Sequence, residues 1–95
     1  MDKPTVVDNR SESRFETETP AGTAVLEYEL EGGRLVLTHT EVPETDRKRG
    51  LGTRLVKAVL EQARELGLTV VPVCPFVRAY LRKNPQSAGP IEEPR

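Results

Sequence analysis

Two side chains and one loop hold most of the chemistry this sequence offers. Cys74 is the only cysteine and His39 the only histidine among 95 residues. A thiol becomes a nucleophile when it loses its proton, and an imidazole is a base near neutral pH. The loop is Arg47-Lys48-Arg49-Gly50-Leu51-Gly52. It follows a predicted strand and opens a predicted amphipathic helix. Its two glycines let the backbone come close to a ligand. The helix start behind them offers unpaired N–H groups and the positive end of a dipole, and three adjacent cations add charge. This combination favours an anion, most simply a phosphate or pyrophosphate. The GxxxxGK[ST] and GxGxxG patterns are both absent, so the loop is neither a Walker A loop nor a Rossmann fingerprint. The blander reading is a flexible basic loop that only begins a helix.

These groups need elements to position them. Arg14 to Thr19 alternates as a strand, Pro20-Ala21-Gly22 is a turn, and Thr23 to Glu31 is a second strand with Ala24, Leu26, Tyr28 and Leu30 on one face. Gly32-Gly33 suits a two-residue hairpin turn, because glycine accepts positive φ. Arg34 to Val42 is then the return strand. With that turn, Leu30 faces Leu35, Tyr28 faces Leu37 and Leu26 faces His39, which puts His39 on the apolar face. A one-residue slip would move it to the other face.

Leu51 to Leu66 follows the helical period through Leu51, Leu55, Ala58, Val59, Ala63 and Leu66, and Gly67 suits the C-terminal cap. Thr69 to Val73 is a short β-branched run in which Pro72 limits pairing on one side or marks a bulge. The long helical crossover makes 34–42 and 69–73 parallel neighbours. Phe76 to Lys83 is a second, shorter helix, stopped by Asn84-Pro85. Pro75 fits the first helical position, which makes Cys74 the N-cap, where the dipole favours a thiolate. His39 and Cys74 therefore lie near the C-terminal ends of adjacent parallel strands, where open α/β sheets bind their ligands.

Composition narrows the classes. Charged residues make up 31% and hydrophobic ones 36%, as in a water-soluble globular domain with a modest core. The net charge of −1 argues against nonspecific nucleic-acid binding as the main role. One cysteine allows no intrachain disulfide and gives no metal cluster. There is no signal-peptide core and no long apolar run, so cytoplasm is the default compartment and no membrane is expected. Residues 13–84 are read as the folded domain, 1–12 as a partly mobile segment with Thr5-Val6-Val7 as a possible edge strand, and 85–95 as a disordered tail. A chain this small fits a monomer or a weak homodimer.

The spacing Arg47-x-x-Gly50-x-Gly52 between a strand and a long helix resembles the acyl-CoA-binding motif of the GNAT N-acetyltransferases. His39-Thr40-Glu41-Val42-Pro43 and Cys74-Pro75-Phe76-Val77-x-x-Tyr80 further resemble the signature of a short, single-domain GNAT-like family. The resemblance covers about residues 5–85. It implies a minimal α+β fold: a mostly antiparallel sheet, a βαβ unit that binds acetyl-CoA, and a short C-terminal helix. It implies an acetyl-CoA-dependent N-acetyltransferase acting on an amine, either a small molecule or a protein lysine. Arg47, Lys48, Arg49, Gly50, Leu51, Gly52 and Thr53 would hold the pyrophosphate, the backbone N–H groups from Arg49 to Thr53 foremost. Backbone groups of Glu41 and Val42 would hold the pantetheine arm. Lys48 stands where a further glycine is common. Cys74 would act as a transient acetyl acceptor or, with His39, as a proton relay, and Tyr80 would protonate the departing thiolate. Glu41 is a weaker candidate base. Two other readings stand beside this one: a noncatalytic acyl-CoA-binding module, and an interaction domain using Arg47 to Arg49 and Arg54.

Overall fold

The computed structural model describes residues 5–94. Residues 1–4 and Arg95, which the sequence assigns to the mobile segment and the tail, lie outside the described residues. Five strands form one sheet in the order β1-β2-β3-β4-β5: β1 (Val7–Asn9), β2 (Arg14–Thr19), β3 (Gly22–Glu31), β4 (Arg34–Glu41) and β5 (Thr69–Pro72). β1 to β4 are antiparallel and β4 to β5 is parallel. The helices are α1 (Glu44–Arg47), α2 (Leu51–Glu65) and α3 (Pro75–Lys83). This is the α+β architecture expected, with one short helix, α1, that periodicity does not reveal.

The alternation of β2, β3 and β4 selects one buried sheet face. Phe15, Ala24, Leu26, Tyr28, Leu35 and Leu37 join one apolar cluster with α2 and α3. From α2 come Leu51, Leu55, Val56, Val59, Leu60 and Ala63, and from α3 come Val77 and Leu81. Each of the Val, Leu and Phe side chains among them contributes roughly 1.5–3 kcal/mol on leaving water. Two members of the predicted stripes are displaced. Leu66 is 59% exposed beyond the end of α2, and Leu30 is 52% exposed near the hairpin tip. Val56 and Leu60 are fully buried in their stead.

The β3–β4 hairpin keeps its expected register from the turn down to Tyr28↔Leu37, then shifts by one residue between Glu27 and Tyr28. The extra residue on β4 is Thr38, whose hydroxyl donates to the Glu27 carbonyl at 3.2 Å. Beyond this bulge Glu27 pairs with His39 and Leu26 with Thr40. The expected pairing of Leu26 with His39 is thus replaced. His39 takes the face of Glu27, and Thr40 takes the buried face of Leu26.

Composition assigns 85–95 to a disordered tail, yet Pro90 to Glu92 lie along β5 at Val70. Val70 N–H donates to Pro90 O and Glu92 N–H donates to Val70 O, both at 2.9 Å. Arg64 donates to the carbonyls of Gln86 and Ala88, and Arg34 pairs with Glu92 at 2.9 Å. At the opposite edge, Val7–Asn9 pairs with β2, two residues beyond the predicted Thr5–Val7.

Candidate active site

β4 and β5 pair only over Arg34–Leu37 and Thr69–Pro72. Past Leu37 and Pro72 the two strands part, and Thr38 to Glu41 have no partner on that side. Pro72 contributes to this parting, since it has no N–H to donate. The Leu37 carbonyl closes the paired region by accepting from both Val73 N–H (3.1 Å) and Cys74 N–H (2.9 Å). A cleft of about 280 Å³ opens at the free half of β4. It is lined by His39, Thr40, Glu41 and Val42, with Arg47 from α1 and Phe76 from α3.

The basic loop stands at one end of this cleft. Gly50 is the N-cap of α2 and has φ +73°, a left-handed conformation that favours glycine. Gly52 serves another purpose. A Cβ there would lie 2.9 Å from the Phe76 ring and 3.4 Å from Val42 Cγ2, so this glycine lets α2, α3 and the end of β4 converge. Arg49 N–H and Gly50 N–H are already bound to the carbonyls of Asp46 and Arg47. Leu51, Gly52 and Thr53 head the helix, and the first intrahelical bond, Arg54 N–H to Gly50 O, comes after them. Their N–H groups have no intrahelical acceptor. The run of N–H groups without an intrahelical acceptor therefore starts at Leu51 rather than Arg49.

Arg47, Lys48 and Arg49 are exposed. Arg47 Nε also donates to Val42 O at 3.0 Å, which ties the loop to the end of β4. A second tie escaped the sequence reading. Asp46 is buried, and its Oδ2 accepts a 2.7 Å hydrogen bond from Thr19 Oγ1. Thr19 Oγ1 itself accepts from the N–H groups of Ala21 and Gly22. The basic loop is thereby anchored to the β2–β3 turn. A larger cavity, about 620 Å³, lies between β2 and the start of α2, lined in part by Thr17, Thr19, Asp46, Arg49 and Arg54, and it holds neither the cysteine nor the histidine.

Cys74 is the N-cap of α3 with Pro75 at the first helical position, as its spacing predicts. Its side chain makes no cap hydrogen bond. It turns inward, 3% exposed, and meets Thr40 Oγ1 at 3.3 Å. His39 does not join it. The imidazole is 57% exposed on the other sheet face, with Nε2 3.8 Å from Glu41 Oε1. Tyr80 is half-buried against the core, six residues beyond Cys74 and about 9 Å along the α3 axis. Phe76, 43% exposed, forms a cleft wall.

The groups whose titration is displaced lie away from the cleft. Burial, followed by its 2.5 Å hydrogen bond to Asp8, pushes the Tyr28 phenol up to about 12. The Arg14 guanidinium, bonded to Glu16 at 2.6 Å, holds that carboxyl below its usual range with help from Asn9. Among the described residues no group of three or more His, Cys, Asp or Glu side chains could hold a metal ion. No helix there is long and apolar enough to cross a membrane.

Thr40 and Asp46 are the site residues that sequence reasoning missed. The signal for Thr40 lies in a bulge without a glycine to mark it. The signal for Asp46 is an acid directly before a basic run, easily taken as solvated.

Comparison with known proteins agrees with this architecture. A solution structure of a GCN5-like protein from Staphylococcus aureus superposes with a TM-score of 0.72, covering 100% of this chain and 94% of that one at 23% identity. At that identity the likeness concerns the fold. Protein NATD1 of Gallus gallus and of Mus musculus are each 43% identical over 63 residues, which is 65% of this chain and 57% of the relative. The human NATD1 is equally similar over 56% of its length. The aligned part thus spans little more than half of these relatives. Residues 14–89 match the sequence profile of the GCN5-related N-acetyltransferases. On this match the chain belongs to the GCN5-related N-acetyltransferase family.

Proposed function

We propose that the chain is an N-acetyltransferase that uses acetyl-CoA and delivers the acetyl group to an amine, carried by a small molecule or a protein lysine. The observation that carries this reading is the parting of β4 from β5 beyond Leu37 and Pro72, with the resulting cleft bordered by Arg47 of the basic loop. A coenzyme of this kind supplies an activated acyl group as a thioester. The donors present fit it. The free N–H groups of Leu51, Gly52 and Thr53 suit a pyrophosphate, and Arg47, Lys48 and Arg49 add exposed positive charge just before them in the chain. Glu41 and Val42, at the unpaired end of β4, border the cleft where a pantetheine arm would lie.

Within this reading the residues divide the work. The strand and loop hold the two reactants in line, which supplies much of the acceleration. Cys74 receives either the acetyl group or the amine's proton. Tyr80, on the same helix, is the group assigned to protonate the leaving thiolate. His39 and Glu41 form the cleft wall on the side remote from the thiol, open to an arriving amine.

The test combines calorimetry with acetyl-CoA and release of free CoA in the presence of an amine panel. Binding with amine-dependent CoA release is expected. Binding without release from any amine would identify a noncatalytic acyl-CoA-binding module, and no binding would leave only the interaction-domain reading. A Cys74→Ala variant with full turnover would remove both roles given to Cys74.

A further inference from the structure

We infer that Thr40, rather than His39, is the positioning residue for Cys74, linking the buried thiol to the cleft. The inference rests on the acetyltransferase reading for its activity arm only. Cys74 lies beneath the surface, 3% exposed, and is absent from the cleft wall, whereas Thr40 is part of that wall. The 3.3 Å contact between Thr40 Oγ1 and Cys74 Sγ is therefore a polar bridge from thiol to cleft. A hydroxyl has one donor and two acceptor sites, so it can accept from a thiol or donate to a thiolate while keeping a lone pair toward the cleft.

The backbone holds Thr40 in place from two sides. Thr40 pairs with Leu26, a residue with no exposed surface. The Thr38 bulge upstream sets the register that turns Thr40 inward. Its β-branch then restricts the hydroxyl to few directions. The Cys74 backbone is fixed equally, through its N–H to Leu37 O and its carbonyl from Arg78 N–H. Both ends of the bridge thus start from constrained positions.

Charged groups on the surrounding elements do not replace this contact. β4 carries His39 and Glu41, which pair with each other on the opposite face. Arg47 of α1 is committed to Val42 O, and Arg54 of α2 to Arg49 O. Lys57 of α2 and Arg78 of α3 are exposed. The hydroxyl is the one hydrogen-bonding side chain found against the thiol among the described residues.

The test uses the chain's single cysteine as its own reporter. Thiolate absorbance near 240 nm, followed against pH in the folded protein and taken as the difference from a Cys74→Ala reference so that Tyr28 and Tyr80 cancel, gives the ionisation midpoint of Cys74 without a reagent that must reach it. Thr40→Val keeps the side-chain shape but removes the hydroxyl. It is expected to raise that midpoint by about one pH unit, which is about tenfold less thiolate at a given pH. Thr40→Ser is expected to restore the midpoint and the turnover, and to move the pH profile of kcat back with it. An unchanged midpoint in Thr40→Val, or a Thr40→Ser variant that stays shifted, would overturn the inference. If the wild-type chain transfers no acetyl group, the midpoint series alone decides the role of Thr40, and the two ideas fail separately.

Discussion

The two halves of β4 differ in what they pair with and in what they carry. From Arg34 to Leu37 the strand is paired on both sides, and Leu35 and Leu37 are buried in the main cluster. From Thr38 to Glu41 it is paired with β3 alone, carries polar side chains, and borders the cleft. The first half holds the molecule together, and the second lines the cleft that we propose as the substrate site. The cleft begins where a neighbour's hydrogen bonds stop. The transition occupies two residues: Pro72 has no donor for the next rung, and the Leu37 carbonyl takes both remaining N–H groups.

The comparison breaks hardest at Leu37. Leu37→Ala empties a fully buried position in the paired half and should cost about 2–5 kcal/mol of stability, measured by urea unfolding. A loss below about 1 kcal/mol would mean that the paired half does not hold the molecule together.

Deleting Thr38 tests the boundary between the halves. Without the extra residue the ladder would run directly from Tyr28–Leu37 to Glu27–His39 and Leu26–Thr40, so His39 keeps the face of Glu27 and Thr40 keeps the buried face. The lost bond from the Thr38 hydroxyl to the Glu27 carbonyl should cost about 0.5–1.5 kcal/mol. Contact between the thiol and Thr40 should remain. Cross-strand NOEs should still place His39 beside Glu27, and NOEs that place it beside Leu26 would show that residues other than Thr38 set the register.

The smallest effect belongs to the free half. His39→Ala removes an exposed side chain whose ion pair with Glu41 spans 3.8 Å at the surface, and thermal unfolding should place the change within about 0.5 kcal/mol. A larger loss would mean that the imidazole supports the fold and that the free half is not purely functional.

Much of this arrangement is legible in the sequence, and the gaps have physical causes. Local rules suffice for the Gly32-Gly33 hairpin, the α2 stripe and the α3 start at Pro75, because each depends on residues a few positions apart. The hairpin register reads correctly as far as Tyr28 and fails one residue later, at the bulge. Thr38 has no glycine or proline to announce it, and its hydroxyl compensates the disrupted ladder only once the strands have met. That single residue decides whether His39 or Thr40 faces the thiol. Asp46 was missed because its partner, Thr19, lies 27 residues away. The prolines of the last segment argue for disorder only if β5 is ignored. Its partners, Val70, Arg64 and Arg34, are all distant in sequence.

That last segment has a practical consequence. Along β5, the backbone of Val70 is bonded to Pro90 and Glu92. A truncation ending at Asn84, where composition places the domain boundary, would uncover a β-branched edge strand with unpaired donors and acceptors. Such edges recruit strands from other molecules. The shortened protein should therefore self-associate and precipitate at concentrations the longer chain tolerates, and expression vectors should extend through Pro94.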